Sequence, residues 1–198
     1  MESCDPVTIL FFGPQGAGKG TQVKLLLEYL TKHTDRKSVH LDMGQLLRDM
    51  VAAGTYSGEL VHEVLINGLL MPDFMPIYLA TGKLVQQLTG EEHIIADGLA
   101  RRHEQTLAWD EAMKFYKRDN FCVIDLELSE DVSIQRLLAR GRNDDTIDAI
   151  KRRLAWHKSE VEPQLEFLRS RNRPIYTIDG SRNVEEVHAD ILKALGFT

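Results

Sequence analysis

The first apolar run of the chain, Val7 to Phe12, passes without a spacer into Gly13-Pro-Gln-Gly-Ala-Gly-Lys-Gly-Thr21, and helical periodicity begins near Lys19. No other stretch limits the possible folds so tightly. Glycines permit positive φ and a close backbone approach, successive N–H groups form an anion nest, and the N-terminus of the outgoing helix adds its dipole. Lys19 supplies a point charge able to reach β- and γ-phosphates. The string fits GxxxxGK, with Gly20 where Ser or Thr is usual and Thr21 one place later. Gly13, Gly16, Ala17, Gly18, Lys19, Gly20 and Thr21 are therefore the candidate triphosphate cradle. A turn that merely links strand to helix would not need this combination. The loop does not say what the phosphate is transferred to, because switches and kinases of many kinds share it.

Short apolar runs alternate with longer segments of helical period. Val7 to Phe12, Ser38 to Leu41, Ile94 to Ala96, Phe121 to Leu128 and Ile175 to Ile178 read as strands. Lys19 to Lys32, Gly44 to Ala53, Ser57 to Asn67, Asp73 to Leu88, Glu104 to Lys117, Asp131 to Arg140, Thr146 to Arg169 and Val184 to Leu195 read as helices. Alternation of this kind predicts an α/β fold, a five-stranded parallel sheet flanked by helices. From Gly44 to Leu88 three helical segments follow one another without a strand, punctuated by Gly54, Gly58, Gly68 and Pro72. The first two read as a small helical insert above the carboxyl ends of the strands, where open α/β sheets bind ligands.

The 198 residues carry 24 Lys and Arg against 30 Asp and Glu, a formal charge of −6, which argues against a nucleic-acid partner. Two cysteines, Cys4 and Cys122, exclude a disulfide framework and a four-cysteine zinc site, and Cys122 reads as a packed core thiol. There is no leader-like start, no run long enough to span a bilayer, no repeat and no linker, so one domain in the cytoplasm is expected. No large exposed apolar face is evident, and a monomer is the default. The spacing of His40, His62 and His103 makes no metal site.

Three further segments narrow the chemistry: His40-Leu-Asp-Met-Gly-Gln-Leu-Leu-Arg48, Ile94-Ile-Ala-Asp-Gly-Leu-Ala-Arg-Arg-His-Glu-Gln105, and Gln135-Arg-Leu-Leu-Ala-Arg-Gly-Arg-Asn-Asp-Asp145 continuing to Lys151-Arg-Arg-Leu154. With the loop at Gly13 to Gln22 they resemble, in order and almost collinearly over the whole chain, the adenylate kinase family of nucleoside monophosphate kinases. The resemblance implies a P-loop kinase fold with an NMP-binding insert at about 43–72 and a lid at about 140–146. It implies reversible phosphoryl transfer from Mg-ATP to AMP, with Lys19, Arg101, Arg142 and Arg153 at the reacting phosphates. Arg136, Arg140 and Arg182 are implied on the ATP side. Met43, Arg48, Leu69, Met71, Gly98, Arg101, Gln105, Arg142 and Arg153 are implied on the AMP side, and Asp97 is implied to hold Mg2+ through water. Asp144 and Asp145 resemble a pair that orients the arginines; as residues on their own they read equally as N-caps of the next helix.

Residue chemistry is consistent with these roles. The apolar stripe Leu46, Leu47, Met50 and Val51 leaves Arg48 off the packed face of its helix. Gln105 offers both a donor and an acceptor for an adenine edge. Between Arg136 and Arg153 six basic residues face three acidic ones, a reversal of sign within an acidic chain. Setting aside Lys19, Arg48, Arg101, Arg136, Arg140, Arg142 and Arg153 leaves 17 basic against 30 acidic residues, a balance of −13. The sequence departs from the family pattern at Met43 for Thr, Gln45 for Asp, Leu69 for Lys and Ala100 for Pro. Only Gly141 to Asp145 separates the lid helices, with no place for zinc. Met43 leaves a UMP or CMP kinase as the alternative acceptor reading, and a slow nucleotide-dependent switch as the alternative outside the kinases.

Overall fold

In a computed structural model the described residues are 5–197, so Cys4 lies outside them. Strands β1 (Thr8–Phe12), β2 (Ser38–Asp42), β3 (His93–Asp97), β4 (Cys122–Glu127) and β5 (Ile175–Asp179) form one parallel sheet in the order β2-β3-β1-β4-β5. From β1 the chain passes to the edge strand β2, returns through β3 and then crosses β1 to reach β4 and β5, so the direction of the connections reverses at β1. That reversal opens a crevice at the carboxyl ends of β1, β3 and β4.

Every residue of β1 is buried, as expected of a central strand covered on both faces. Leu10 and Phe12 point into the larger core with Leu41, Ala96, Trp109 and Phe121; Ile9 and Phe11 point into the smaller one with Val23, Leu26, Ile124 and Ile191. Helices α1 (Lys19–His33) and α9 (Val184–Ala194) cover the smaller core. The larger core is covered by α4 (Phe74–Gln87), α5 (His103–Phe115) and α8 (Glu162–Ser170). The insert comprises α2 (Met43–Ala52) and α3 (Tyr56–Ile66), which pack on each other and add Leu47 and Val61 to the larger core. Asp42 caps α2 by accepting from the Gln45 N–H, and Thr55 caps α3 by accepting from Gly58. Helices α6 (Glu130–Arg140) and α7 (Ile147–Trp156) clasp a third cluster, Leu137, Ile150 and Leu154.

One expected helix is interrupted. The segment read as continuous from Thr146 to Arg169 contains a π turn, His157–Val161, in which the Glu162 N–H donates to the His157 carbonyl. The turn ends where Pro163 enters α8. Proline has no N–H to give and its ring crowds the carbonyl four residues back, so the ladder ahead of it widens to i+5. The surface is also less uniformly polar than expected. Phe74, Tyr78 and Val85, on one face of α4, are exposed, as are Tyr56 and Phe115. No helix among the described residues is long and apolar enough to cross a membrane.

Candidate active site

The backbone is tightly confined where β1 meets the loop. Gly13 has φ 126°, and a Cβ there would lie 2.4 Å from the Leu126 carbonyl oxygen, so the turn admits no side chain. Gly18, at φ 91°, occupies the N-cap of α1, and no side chain caps that end. The first N–H groups of α1 are thus available to an anion. Lys19 Nζ donates to the carbonyls of Gly13 at 2.7 Å and Pro14 at 2.9 Å. Burial lowers its pKa, opposed first by the charge of Asp97.

A cleft beside the loop is lined by Gln15, Lys19, Gly98, Arg101, Arg153 and His157, with Trp156 at its edge. Asp97, the last residue of β3, immediately precedes Gly98 of that lining and stands in register with Phe11 on one side and Asp42 on the other. Burial raises the Asp97 pKa, and Lys19 opposes the rise. Among the described residues no three His, Cys, Asp or Glu side chains converge to hold a metal ion. The Asp97 carboxylate, whose charge acts on both Lys19 and Arg101, fits Mg2+, which keeps several waters and takes its other ligands from phosphate oxygens.

Arg101 is the informative cation. Burial lowers its pKa, with Asp97 as the largest opposing charge. Among the described residues its guanidinium forms no hydrogen bond or ion pair and lies 5.3 Å from the ring centroid of Trp156. Gly98 makes room for it, since a Cβ there would stand 3.0 Å from Arg101 Nη2. A half-buried guanidinium with its donors unspent is free to complete its hydrogen bonds on an anion.

Near Arg101 the Gln105 side chain is buried and held at both ends. Its Oε1 accepts from the Arg101 backbone N–H at 3.2 Å, and its Nε2 donates to Asp73 at 2.7 Å. Arg48 donates to Gln45 Oε1 at 2.9 Å and lies 4.0 Å from Asp42. Leu47 is buried beneath it and Leu46, Met50 and Val51 are partly so, as the stripe requires. Met43 and Met71 are buried in the larger core, whereas Leu69 is exposed. Ala100, where the related pattern has Pro, adopts φ 53°, a left-handed value that the proline ring forbids.

Between α6 and α7, Arg140 grips Asp145 through Nε at 2.9 Å and Nη2 at 2.8 Å. Arg153 bonds Asp145 at 3.0 Å, Asp144 Oδ2 at 2.8 Å and Gln15 Oε1 at 3.0 Å, and also donates to the Asp144 carbonyl. The N-cap alternative for the two aspartates fails: Thr146 caps α7, its hydroxyl accepting from Ala149. Arg142 is exposed on the loop and does not line the cleft. Partial burial and then the charges of Arg140 and Arg48 lower its pKa. Arg136 donates to the carbonyls of Gly16, Gly180 and Ser181, which ties the phosphate loop to the turn after β5. Arg182, on that turn, is engaged by Asp190 and Asp179.

A family model described as adenylate kinase matches residues 11–173. Adenylate kinase 1 of Nostoc sp. is 32% identical over 95% of this chain and 98% of its own length. The adenylate kinase of Corynebacterium diphtheriae is 33% identical over 95% of this chain and 98% of its own, and that of Thermus thermophilus 33% over 96% and 97%. The chain belongs to the adenylate kinase family. As a member it is an enzyme, a nucleotide phosphotransferase, and its parallel sheet and phosphate loop are those of the P-loop kinase fold.

Three residues of this adenylate kinase site escaped sequence reading: Gln15, Trp156 and His157. Gln15 sits inside the motif at a position where GxxxxGK accepts anything. Trp156 and His157 lie where the sequence reads as one amphipathic helix, and the π turn alters the phase that such a reading assumes. Burial, then the charges of Lys19 and Arg101, push the His157 pKa down to about 3, so its imidazole is neutral at physiological pH.

Proposed function

We propose that the chain transfers the γ-phosphoryl group of Mg-ATP to AMP, giving two ADP, and that it does so as a monomer in the cytoplasm. The reading rests above all on Arg101, a half-buried cation whose guanidinium forms no ion pair or hydrogen bond among the described residues and which lines the same cleft as Lys19. A triphosphate on the loop and a monophosphate at Arg101 would bring donor and acceptor oxygens together.

The AMP phosphate has a second pKa of about 6 and is mostly dianionic at neutral pH, so no general base is required. Catalysis then reduces to alignment and charge neutralisation. Backbone N–H groups from Gly16 to Thr21 hold the donor phosphates, and Lys19 leaves the loop carbonyls to meet the transferring group. Arg101 and Arg48 hold the acceptor phosphate; Arg153, with Arg140 and Arg142 from the lid at about 140–146, covers the reacting oxygens. Bound Mg2+, through waters on Asp97, would neutralise charge on the phosphate oxygens. Gln105 reads the acceptor adenine, with Met43, Met71, Leu69 and Gly98 bordering the pocket in the insert at about 43–72. Arg136 and Arg182 flank the donor base. Neutral His157 adds no charge to the cleft before substrates enter.

The test is a panel of nucleoside monophosphates offered with Mg-ATP. AMP is expected to give the highest kcat/KM; preference for UMP would assign the protein to the pyrimidine kinases and show that Met43 outweighs Gln105. Replacing Lys19 by Met should lower kcat by about 10²-fold or more, since it removes an interaction with the transferring group. ATP hydrolysis indifferent to every acceptor would instead favour a switch.

A further inference from the structure

Trp156 ends α7 at the start of the π turn, and two observations converge on it. Its indole ring carries the Arg101 guanidinium, 5.3 Å from the centroid, and its Nε1–H donates to the Gly68 carbonyl at 3.0 Å. Gly68 belongs to the insert and follows α3. Its φ of 63° and its surroundings admit no side chain: a Cβ there would lie 2.6 Å from the Ala149 carbonyl oxygen and 2.8 Å from the Ala149 Cα. The insert therefore seats its backbone directly on α7. Leu69 is exposed and uncharged, so this seat relies on backbone contact and on the indole hydrogen bond instead of an ion pair.

We propose that Trp156 is a positioning residue for the acceptor-phosphate clamp: the indole presents Arg101 to the cleft only while its N–H is tied to Gly68, so that docking of the insert and presentation of the guanidinium are one event. The Arg101 guanidinium has no hydrogen bond or ion pair among the described residues to fix its orientation, and the ring face supplies that orientation without spending any of its side-chain donors. All its N–H groups thus stay available to the acceptor phosphate. Loss of the tie would leave the guanidinium mobile in the cleft, and the effect would fall on the acceptor rather than the donor. The inference rests on the acceptor reading of Arg101 given above.

Steady-state kinetics with Trp156→Phe, Trp156→Leu and Arg101→Lys test both levels. Phe keeps a ring face and loses the N–H; Leu loses both. Trp156→Phe should raise the KM for AMP by about threefold or more, and Trp156→Leu by about tenfold with a fall in kcat, while the KM for ATP stays within about twofold. The chain has two tryptophans, so in a Trp109→Phe background emission reports Trp156 alone. That emission should change when AMP is added without ATP. Unchanged AMP kinetics in folded Trp156→Phe, or equal rises in both KM values, would overturn the proposal while a raised AMP KM in Arg101→Lys left the acceptor reading standing. An unchanged AMP KM in Arg101→Lys would remove the acceptor reading and the proposal with it.

Discussion

His93 shows how much one buried side chain can hold. It is fully buried at the start of β3, accepts from the Val7 N–H through Nδ1 at 3.1 Å, and pairs its Nε2 with the Thr34 hydroxyl at 3.0 Å. Because Nδ1 accepts, the ring must be neutral, with its proton on Nε2 directed at Thr34. Burial, then Arg36 and Arg118, hold its pKa below the ordinary 6.5. The unfolded chain binds a proton below pH 6.5 that the folded chain refuses, so stability is complete above that value and falls as pH drops below it. His40, His157 and His188 are depressed as well and add to the same slope. Thermal unfolding followed from pH 7.5 to 5 should show a falling Tm, and His93→Gln should make that fall shallower. A Tm flat across this range would contradict the neutral buried ring. No such role was legible in the sequence, where His93 is one polar residue before an apolar run and nothing marks the edge of β1 as its partner.

Among the elements, the phosphate loop and the lid differ in what holds them. The loop is held by steric limits on contiguous residues. Gly13→Ala would drive a methyl into the Leu126 carbonyl and should cost about 3 kcal/mol or more in denaturant unfolding, with loss of ATP binding. The lid is held by charge. The Asp145 carboxylate side chain is fully buried between Arg140 and Arg153, and although burial alone would raise its pKa, the hydrogen bonds and charges of those arginines bring it below the ordinary carboxylate value. Its contribution is therefore present above about pH 4 and lost as pH falls through the lowered folded value. Asp145→Asn should cost about 3 kcal/mol, since it leaves Arg153 buried and under-compensated, and should lower kcat more than it raises either KM. The steric element was readable from the sequence because its cause is local. The pairing of Asp144 and Asp145 with arginines was legible only through resemblance: on their own they read equally as N-caps, a role that Thr146 fills.

For the molecule as a whole, the charge distribution and the short lid carry the consequences. An acidic chain that gathers Lys19, Arg101 and Arg153 in one cleft focuses its field there. The KM for both nucleotides should rise between about 10 mM and about 150 mM salt, as the screening length falls from about 30 Å to about 8 Å. A salt-independent KM would contradict focusing. With only Gly141 to Asp145 between α6 and Thr146, less structure is available to exclude water. ATP hydrolysis without AMP should be measurable and exceed that of a long-lid relative; an equal rate would show that the insert, seated on α7, closes the site alone.

The sequence by itself determined the parallel α/β sheet, the phosphate loop and the set of cations from which a site could be built. Those depend on φ limits, hydrophobic period and helix dipoles, which neighbouring residues settle among themselves. Only the tertiary structure decided which cations are available. Arg140 and Arg153 are engaged by Asp145 and Asp144, Arg136 by carbonyls, and Arg182 by Asp190, while Arg101 is left bare on the face of Trp156. Pairing of that kind depends on distances between segments remote in the chain, and a π turn that shifts the phase of one helix is enough to change them.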